Sequence, residues 1–80
     1  MARHLSMLER RIDGPDENAY IASLAGRVAA ATEAEAHFWV FSHASDPHRY
    51  VEFVEGANAS KVAELSGVSE SALWRAVEVK

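Results

Sequence analysis

The chain contains no cysteine, and it has only two prolines and four glycines among its 80 residues. The absence of cysteine excludes a disulfide framework and any cysteine-ligated zinc or redox site. Its longest strongly hydrophobic run, Phe38–Phe41, falls far short of the roughly 20 apolar residues of a membrane-spanning helix. The first residues also lack the apolar stretch of a secretory leader. We therefore expect a cytoplasmic protein with no membrane association.

Positive charge is also scarce. Eight Lys and Arg residues stand against twelve Asp and Glu residues, a formal net charge of −4. Nucleic-acid binding normally requires clustered basic residues, so we expect no nucleic-acid partner. Hydrophobic residues make up 49% and charged residues 25% of the chain, as in an ordinary globular domain, and we predict one domain over residues 1–80. A domain of this size buries only about 60% of its unfolded surface, so we expect a partner to add stability.

Residue patterns predict six elements in the order β-α-β-β-α-β. Strands are predicted at residues 4–12, 37–43, 49–55 and 73–79, and helices at residues 16–34 and 58–66. This order is the split βαβ, or ferredoxin-like, plan. We therefore predict an α+β fold, with a four-stranded antiparallel sheet and both helices on one of its faces.

The longer predicted helix has a helically spaced apolar stripe, formed by Tyr20, Ile21, Leu24, Val28 and Ala31. Gly26 costs about 1 kcal/mol relative to alanine, and we expect it to allow a close approach to the sheet. Gly67 follows the shorter helix and is a natural C-terminal cap.

The aromatic hairpin predicts a dimer. With its turn centred near Asp46-Pro47, Phe41 lies opposite Val51 and Trp39 opposite Phe53, and we expect this face to pack on the helices. The opposite face is also largely apolar, whereas a solvated sheet face would alternate apolar with polar residues. Because two helices cover one face only, we predict a sheet-to-sheet homodimer. The interface prediction consists of Phe38, Val40, Tyr50 and Val54, with Ser42 and Glu52 on the same face.

The element order, the hairpin HFWVFSHASDPHRYVEFVEG and the closing WRAVEV resemble dimeric α+β barrel proteins, in particular antibiotic-biosynthesis-monooxygenase-like domains. The resemblance spans nearly the whole chain and concerns the fold. It implies two sheets packed into a dimer and a small-molecule cavity, often between sheet and helices. Members of the superfamily include cofactor-independent monooxygenases, haem-degrading enzymes and cyclases. No residue set here matches the catalytic motif of one subfamily, so the resemblance assigns no catalytic residue.

Three residues are weak catalytic candidates. His37 and His43 bracket a predicted strand, and either could act as a general base, although strand-end packing explains both. Glu52 would become an acid or base if burial raised its pKa, and a rim salt bridge or a solvated edge is the alternative. Its possible partners across the dimer are Arg3, Arg10, Arg11 and Arg75. His43 and His48 would need Asp46 or Glu52 to complete a metal site, and no metal motif is present. We therefore expect neither a metal nor a cofactor.

Aromatic side chains are the candidate ligand-binding residues, because pockets for planar ligands are largely apolar. This set consists of Trp39, Phe41, Phe53, Tyr20 and Trp74. Simple core packing is the alternative for Trp39, Phe41 and Phe53, and support of the dimer seam is the alternative for Trp74. Three functions follow: a small-molecule-binding homodimer of undetermined activity, a cofactor-independent monooxygenase or cyclase acting on an aromatic or quinol-like substrate, and a purely structural dimerisation module.

Overall fold

A computed structural model describes residues 2–79, and Met1 and Lys80 of the predicted domain lie outside the described residues. Its strands are β1 (His4–Arg11), β2 (His37–Ser42), β3 (Arg49–Gly56) and β4 (Trp74–Arg75), and its helices are α1 (Glu17–Glu33) and α2 (Ala59–Ser66). Short 3₁₀ turns at Gly14–Asp16 and Glu70–Ala72 precede α1 and β4. All predicted elements are present, but the last strand is two residues long instead of seven.

The four strands form one antiparallel sheet in the order β2-β3-β1-β4. Strand β3 lies between β1 and β2, and β1 lies between β3 and β4. Each β-α-β unit is therefore split by a strand from the other unit, an arrangement compatible with the ferredoxin-like plan. The predicted α+β class and the four-stranded antiparallel sheet are confirmed.

The predicted hairpin register is also confirmed, since Trp39 pairs with Phe53 and Phe41 with Val51. The predicted packing of the two faces is wrong. Trp39 and Phe41 remain 46% and 56% exposed, whereas their strand neighbour Phe38 is buried. The core consists of Ala31, Ala36, Phe38, Val54 and Val62, with Leu24, Val40, Leu65 and Leu73 packed around it. The helices thus cover the face that we expected to form the dimer interface.

We call this the covered face; at its centre are Ser6, Phe38, Glu52 and Val54. We call the opposite side of the sheet the open face; it carries Met7, Trp39, Phe41, Val51 and Phe53, with Leu5 and Trp74 beside them. Phe38, Val40, Tyr50 and Val54, the predicted interface residues, are buried or half-buried on the covered face, so that interface prediction is wrong.

Close approach of helix and sheet occurs at Gly56 and not, as expected, at Gly26. A Cβ added to Gly56 would lie 3.3 Å from the Ala36 Cβ and from the Val62 Cγ2, whereas no atom lies within 4 Å of one added to Gly26. Gly56 shares the covered face with Val54, so its lack of a side chain admits α2 to this face. Packing around Gly56 is thus one reason why the helices cover this side of the hairpin.

Both helices form where their sequence predicts, with one difference in α1. The Asn58 side chain accepts a hydrogen bond from the Lys61 backbone N–H at the start of α2, and Gly67 ends the helix in the left-handed region at φ 71°. In α1, the predicted stripe is offset: Ile21 and Val28 are 54% and 46% exposed. Among the described residues, no helix is long and apolar enough to cross a membrane.

Candidate functional site

The predicted ligand-binding residues divide between the two faces of the sheet. Trp39, Phe41 and Phe53 lie on the open face, and Trp74 joins them there because it pairs with Leu5. Tyr20 lies under the opposite, covered face, where its hydroxyl reaches Glu52. The five aromatic residues therefore do not line one pocket within a single copy of the chain.

Cross-strand pairing arranges the open face in rows. The first row runs His37–Glu55–Leu5–Trp74, the second Trp39–Phe53–Met7, the third Phe41–Val51–Glu9, and the fourth Arg49–Arg11. The two central rows are dominated by large apolar side chains, and Met7 is 54% exposed. Aromatic contacts make them a continuous surface: the Phe41 and Phe53 rings meet edge to face at 5.9 Å.

Charged residues of the open face lie at its two ends, and each is paired. At one end the Arg3 guanidinium forms a bidentate ion pair with Glu55, its Nη2 lying 2.9 Å from Oε1. At the other end Arg49 pairs with Glu9, and Arg11 Nη1 lies 3.1 Å from an Asp46 carboxylate oxygen. The three pairs leave the ends of this face without net charge.

The covered face holds a charged cluster around Glu52, which is only 2% exposed. Arg27 of α1 donates to both carboxylate oxygens at 2.8 and 3.0 Å, and the Tyr20 hydroxyl donates at 2.5 Å. Arg10 of β1 approaches the same carboxylate, with its Nε 3.0 Å away. The Arg27 guanidinium also lies over the Phe38 ring, 4.6 Å from its centre. Three side chains from two elements, α1 and β1, thus converge on one carboxylate of β3.

These contacts set the protonation state of Glu52. Burial alone would raise the pKa of the Glu52 carboxyl, but hydrogen bonds from Arg27, Tyr20 and Arg10 outweigh it and lower the pKa below its ordinary value. For Tyr20, burial and the bond to Glu52 both raise the pKa of the phenol. Glu52 is therefore an ionised, fully engaged anchor for α1, and the raised pKa that would make it an acid or base is not found.

A second polar contact lies beside this cluster. The Tyr50 hydroxyl donates to Glu17 at 2.6 Å, and the rings of Tyr50 and Tyr20 lie 5.0 Å apart. His48 Nδ1 lies 3.3 Å from the other Glu17 oxygen but in poor geometry for a hydrogen bond. Glu17 thereby ties the start of α1 to β3 and to the turn before it.

The two candidate histidines have different surroundings. His43 Nδ1 accepts hydrogen bonds from the backbone N–H groups of Ser45 and Asp46, at 3.1 and 3.0 Å, so this ring orders the hairpin turn. His37 is exposed on the open face, where its ring stacks on Trp39 at 5.5 Å with an interplanar angle of 10°. His37 thus contacts the aromatic rows directly, whereas the His43 ring is held by the hairpin turn.

Little space remains between the helices and the sheet. The void there has a volume of about 60 Å³ and is lined by Arg27, Ala30, Ala31, Phe38, Val54 and Leu65. Ligand pockets usually measure about 300 Å³ or more, so this void cannot hold a substrate-sized molecule. Within residues 2–79, no three His, Asp or Glu side chains converge as a metal ion would require.

Sequence reasoning missed Arg27 as the principal partner of Glu52. Tyr20, Leu24 and Arg27 fall on one side of α1, where a polar pair within an apolar stripe signals a buried partner on the element below. Met7 was also missed as an open-face residue, although its alternation with Leu8 places it beside Phe53.

No protein-family model, curated protein or solved structure matches this chain. The resemblance to antibiotic-biosynthesis-monooxygenase-like domains thus remains one of element order and hairpin composition.

Proposed function

We propose that the protein is a homodimeric α+β barrel that binds a small, planar, apolar molecule, and that it assembles through the open face. The exposure of the aromatic rows carries this proposal: Trp39, Phe41 and Trp74 are 46%, 56% and 61% exposed in a single copy. Contiguous apolar surface of this kind usually marks an interface. Burying a large apolar side chain completely contributes about 1.5–3 kcal/mol, and a symmetric dimer counts each residue twice.

The distribution of charge favours a second copy over a nucleic acid as the occupant of this face. An apolar centre with a polar rim is the usual anatomy of a protein interface, and the paired charges at the two ends of the open face form such a rim. Bases can stack on exposed aromatic rings, but the phosphates beside them require unpaired basic groups. Arg3, Arg11 and Arg49 are each engaged by a carboxylate.

The same face supports the choice of ligand. Because the void between helices and sheet is about 60 Å³, the ligand belongs between the two packed sheets. Trp39, Phe41, Phe53 and Trp74 would then surround it from both copies. This arrangement retains the dimeric barrel implied by the family resemblance but moves the ligand to the other side of the sheet.

Oligomeric mass tests the assembly. Phe41→Glu places a charge in the centre of the open face, and Ser42→Glu places the same charge on the next strand residue, which is also exposed. By sedimentation equilibrium at micromolar concentration, we expect two-chain masses for the wild type and Ser42→Glu, and a one-chain mass for Phe41→Glu. A one-chain mass for the wild type would overturn the proposed dimer.

Ligand binding is tested separately on the dimer. We expect 1-anilinonaphthalene-8-sulfonate to bind with one site per two chains and to quench tryptophan fluorescence, with binding lost in Phe41→Glu. A wild-type dimer that binds neither this probe nor other planar aromatic compounds is a structural dimerisation module, and the ligand part of the proposal is then wrong.

A second candidate function is the cofactor-independent monooxygenase. It is favoured by the stacking of His37 on Trp39, which puts a base at the edge of the aromatic rows. The test is oxygen uptake with reduced quinols and anthrones, comparing the wild type with His37→Ala and, as a control whose ring is held in the hairpin turn, His43→Ala. Wild-type uptake at the background rate, or equal loss in both variants, contradicts this function.

A further inference from the structure

One edge of β1 has backbone groups without a partner. β1 pairs with β3 at all eight positions from His4 to Arg11, but with β4 only at His4 and Leu5. One further bond, from the Ala76 N–H to the Arg3 carbonyl at 2.8 Å, extends the β4 side. Beyond Leu5, no other strand among residues 2–79 lies beside this edge.

The backbone alternation of β1 identifies which groups are free. Arg3 bonds toward β4, and Ile12 donates to the His48 carbonyl on the β3 side. In an antiparallel sheet, alternate residues bond to opposite neighbours, so the odd-numbered residues of β1 face the β4 side. Met7, Glu9 and Arg11 therefore each present one N–H and one C=O at an open sheet edge, and such an edge is a ready site for strand addition.

The same chain contains a strand-forming segment without a sheet. Residues 76–79 follow β4 and belong to no strand, although the sequence pattern predicts one over residues 73–79. Ala76 keeps its single bond to Arg3, and residues 77–79 have no neighbouring strand among the described residues. Val77 and Val79 are 82% and 90% exposed. β-branched residues favour a pleated, half-buried surface, and here they have none.

We propose that residues 76–79 of one copy add as a strand to the Met7–Arg11 edge of a second copy. This inference rests on the proposed homodimer and adds to it a backbone-bonded exchange between the copies. Three arginines and two acids line the groove of about 360 Å³ at this end of the sheet, namely Arg10, Arg11, Arg49, Glu9 and Asp46. Asp46 and Glu9 neutralise Arg11 and Arg49. Arg10 shares Glu52 with Arg27, so this end of the sheet keeps one positive charge that Glu78 of the incoming segment complements.

Charge also distinguishes this edge from the outer edge of β2, which is free as well. Strand β2 offers HFWVFS, with no arginine or lysine to attract Glu78. Pairing two β1 edges with each other is disfavoured at the central register, because Glu9 would face Glu9 of the partner subunit. Pairing of residues 76–79 with the β1 edge places Glu78 near arginines and avoids the repulsion between two Glu9 side chains.

A single twofold axis can satisfy both the face contact and the exchange. Residues 76–79 leave the sheet at the end of the open face that carries Leu5 and Trp74, while the free edge lies toward Arg11 and Arg49. The axis lies midway between the two sheets, parallel to their planes and perpendicular to their strands. It places the Leu5 and Trp74 end of one copy over the Arg11 and Arg49 end of its partner. The departing segment then begins beside the free edge of the partner.

The natural absence of cysteine allows a direct cross-linking test. Glu78→Cys and Arg11→Cys chains are prepared separately, mixed and mildly oxidised, so that only bonds between copies can join the two variants. Disulfides require Cα atoms within about 7 Å. We expect at least tenfold more mixed disulfide than for Glu78→Cys with Ser42→Cys, which probes the β2 edge. Equal or greater cross-linking to Ser42→Cys would overturn the proposal.

Amide hydrogen exchange on the wild-type chain provides a second measurement. We expect Met7, Glu9 and Arg11 N–H groups to exchange at least tenfold more slowly than in Val77→Pro, which removes a backbone donor from the added strand. Val77→Thr is the matched control and should keep the protection. Protection that survives in Val77→Pro identifies another occupant of this edge and contradicts the exchange.

The two proposals fail in different ways. A one-chain mass for the wild type defeats the dimer and the exchange together. A two-chain mass with fast exchange at Met7, Glu9 and Arg11 and no cross-link to Arg11→Cys leaves the dimer intact and defeats the exchange alone.

Discussion

The two faces of the sheet are similar in composition and opposite in environment. The open face carries the larger aromatic surface, with Trp39, Phe41 and Phe53, yet it lacks a covering layer within one copy. The covered face carries Phe38 and Val54 together with the carboxylate of Glu52. Hydrophobicity therefore did not decide which face the helices cover. The helices cover the less aromatic face for two reasons. Gly56 leaves room for α2 there. Donors from α1 and β1 also satisfy the buried carboxylate of Glu52.

The largest difference in stability should come from replacing each of two phenylalanines on β2, one on each face of the sheet, by alanine. Phe38 is 9% exposed on the covered face and Phe41 is 56% exposed on the open face. We expect Phe38→Ala to lower the free energy of unfolding by about 3–5 kcal/mol at every protein concentration. Phe41→Ala should lower the free energy of unfolding by less than about 1 kcal/mol in dilute solution. The difference from the wild type should grow with protein concentration, because only the wild type gains stability from the proposed dimer. Urea unfolding at several concentrations measures both.

Similar losses for Phe38→Ala and Phe41→Ala in dilute solution would contradict the contrast between the faces. So would a loss for Phe41→Ala that does not change with concentration, because it would mean that Phe41 stabilises the single copy.

An intermediate effect is expected from two glutamates on β3, Glu52 on the covered face and Glu55 on the open face. Removing one partner of a buried charge cluster costs about 3 kcal/mol, so Glu52→Gln should lower stability by about that amount at neutral pH. Glu55 pairs with the exposed Arg3, and Glu55→Gln should cost less than about 1 kcal/mol. The free energy of unfolding from urea titrations measures the difference.

The pH dependence of the same two variants follows from the lowered pKa of Glu52. A carboxyl whose pKa is lower in the folded state contributes stability above its unfolded pKa, ordinarily 4.5, and loses it as pH falls through the folded value. The wild-type and Glu52→Gln curves should therefore converge as pH falls from 4.5. Parallel curves from pH 7 to pH 3 would show that the Glu52 charge does not stabilise the fold.

The smallest effect separates Gly56 from Gly26. Gly56→Ala would crowd Ala36 and Val62 on the covered face, and we expect a loss of about 1–2 kcal/mol. Gly26→Ala meets no atom within 4 Å in the interior of α1, so it should gain about 0.5–1 kcal/mol from helix propensity. Thermal unfolding of both variants gives the signs, and equal signs would contradict the assignment of Gly56 as the contact point.

Local patterns in the sequence predicted much of the fold. Alternation and turn residues predicted β2 and β3 and their register, and Asn58 and Gly67 mark the two ends of α2. These features depend on residues close together in the chain. The last strand was predicted too long, because the run from Leu73 has strand composition but a neighbouring strand only as far as Arg75.

The candidate site was predicted only in part. The aromatic residues of the hairpin were identified as candidates for binding, but their face was wrong, and Tyr20 belongs to a different surface. The sequence left the burial of Glu52 open, and of its predicted arginine partners the structure brings Arg10 to it. Arg27, its bidentate partner, lies 25 residues away on α1. Strand periodicity relates only residues within one strand, so it cannot predict this pair.

The sequence by itself determined the class of fold, the order of its elements, the hairpin register and the presence of two apolar faces, because period, turn chemistry and capping are local properties. Only the tertiary structure decided which face the helices cover. That choice depends on the fit of Val62 beside Gly56 and on three side chains meeting at Glu52, contacts that form only when distant segments come together. The tertiary structure likewise showed that the edge of β1 beyond Leu5 is free, since no local pattern reveals where a neighbouring strand ends.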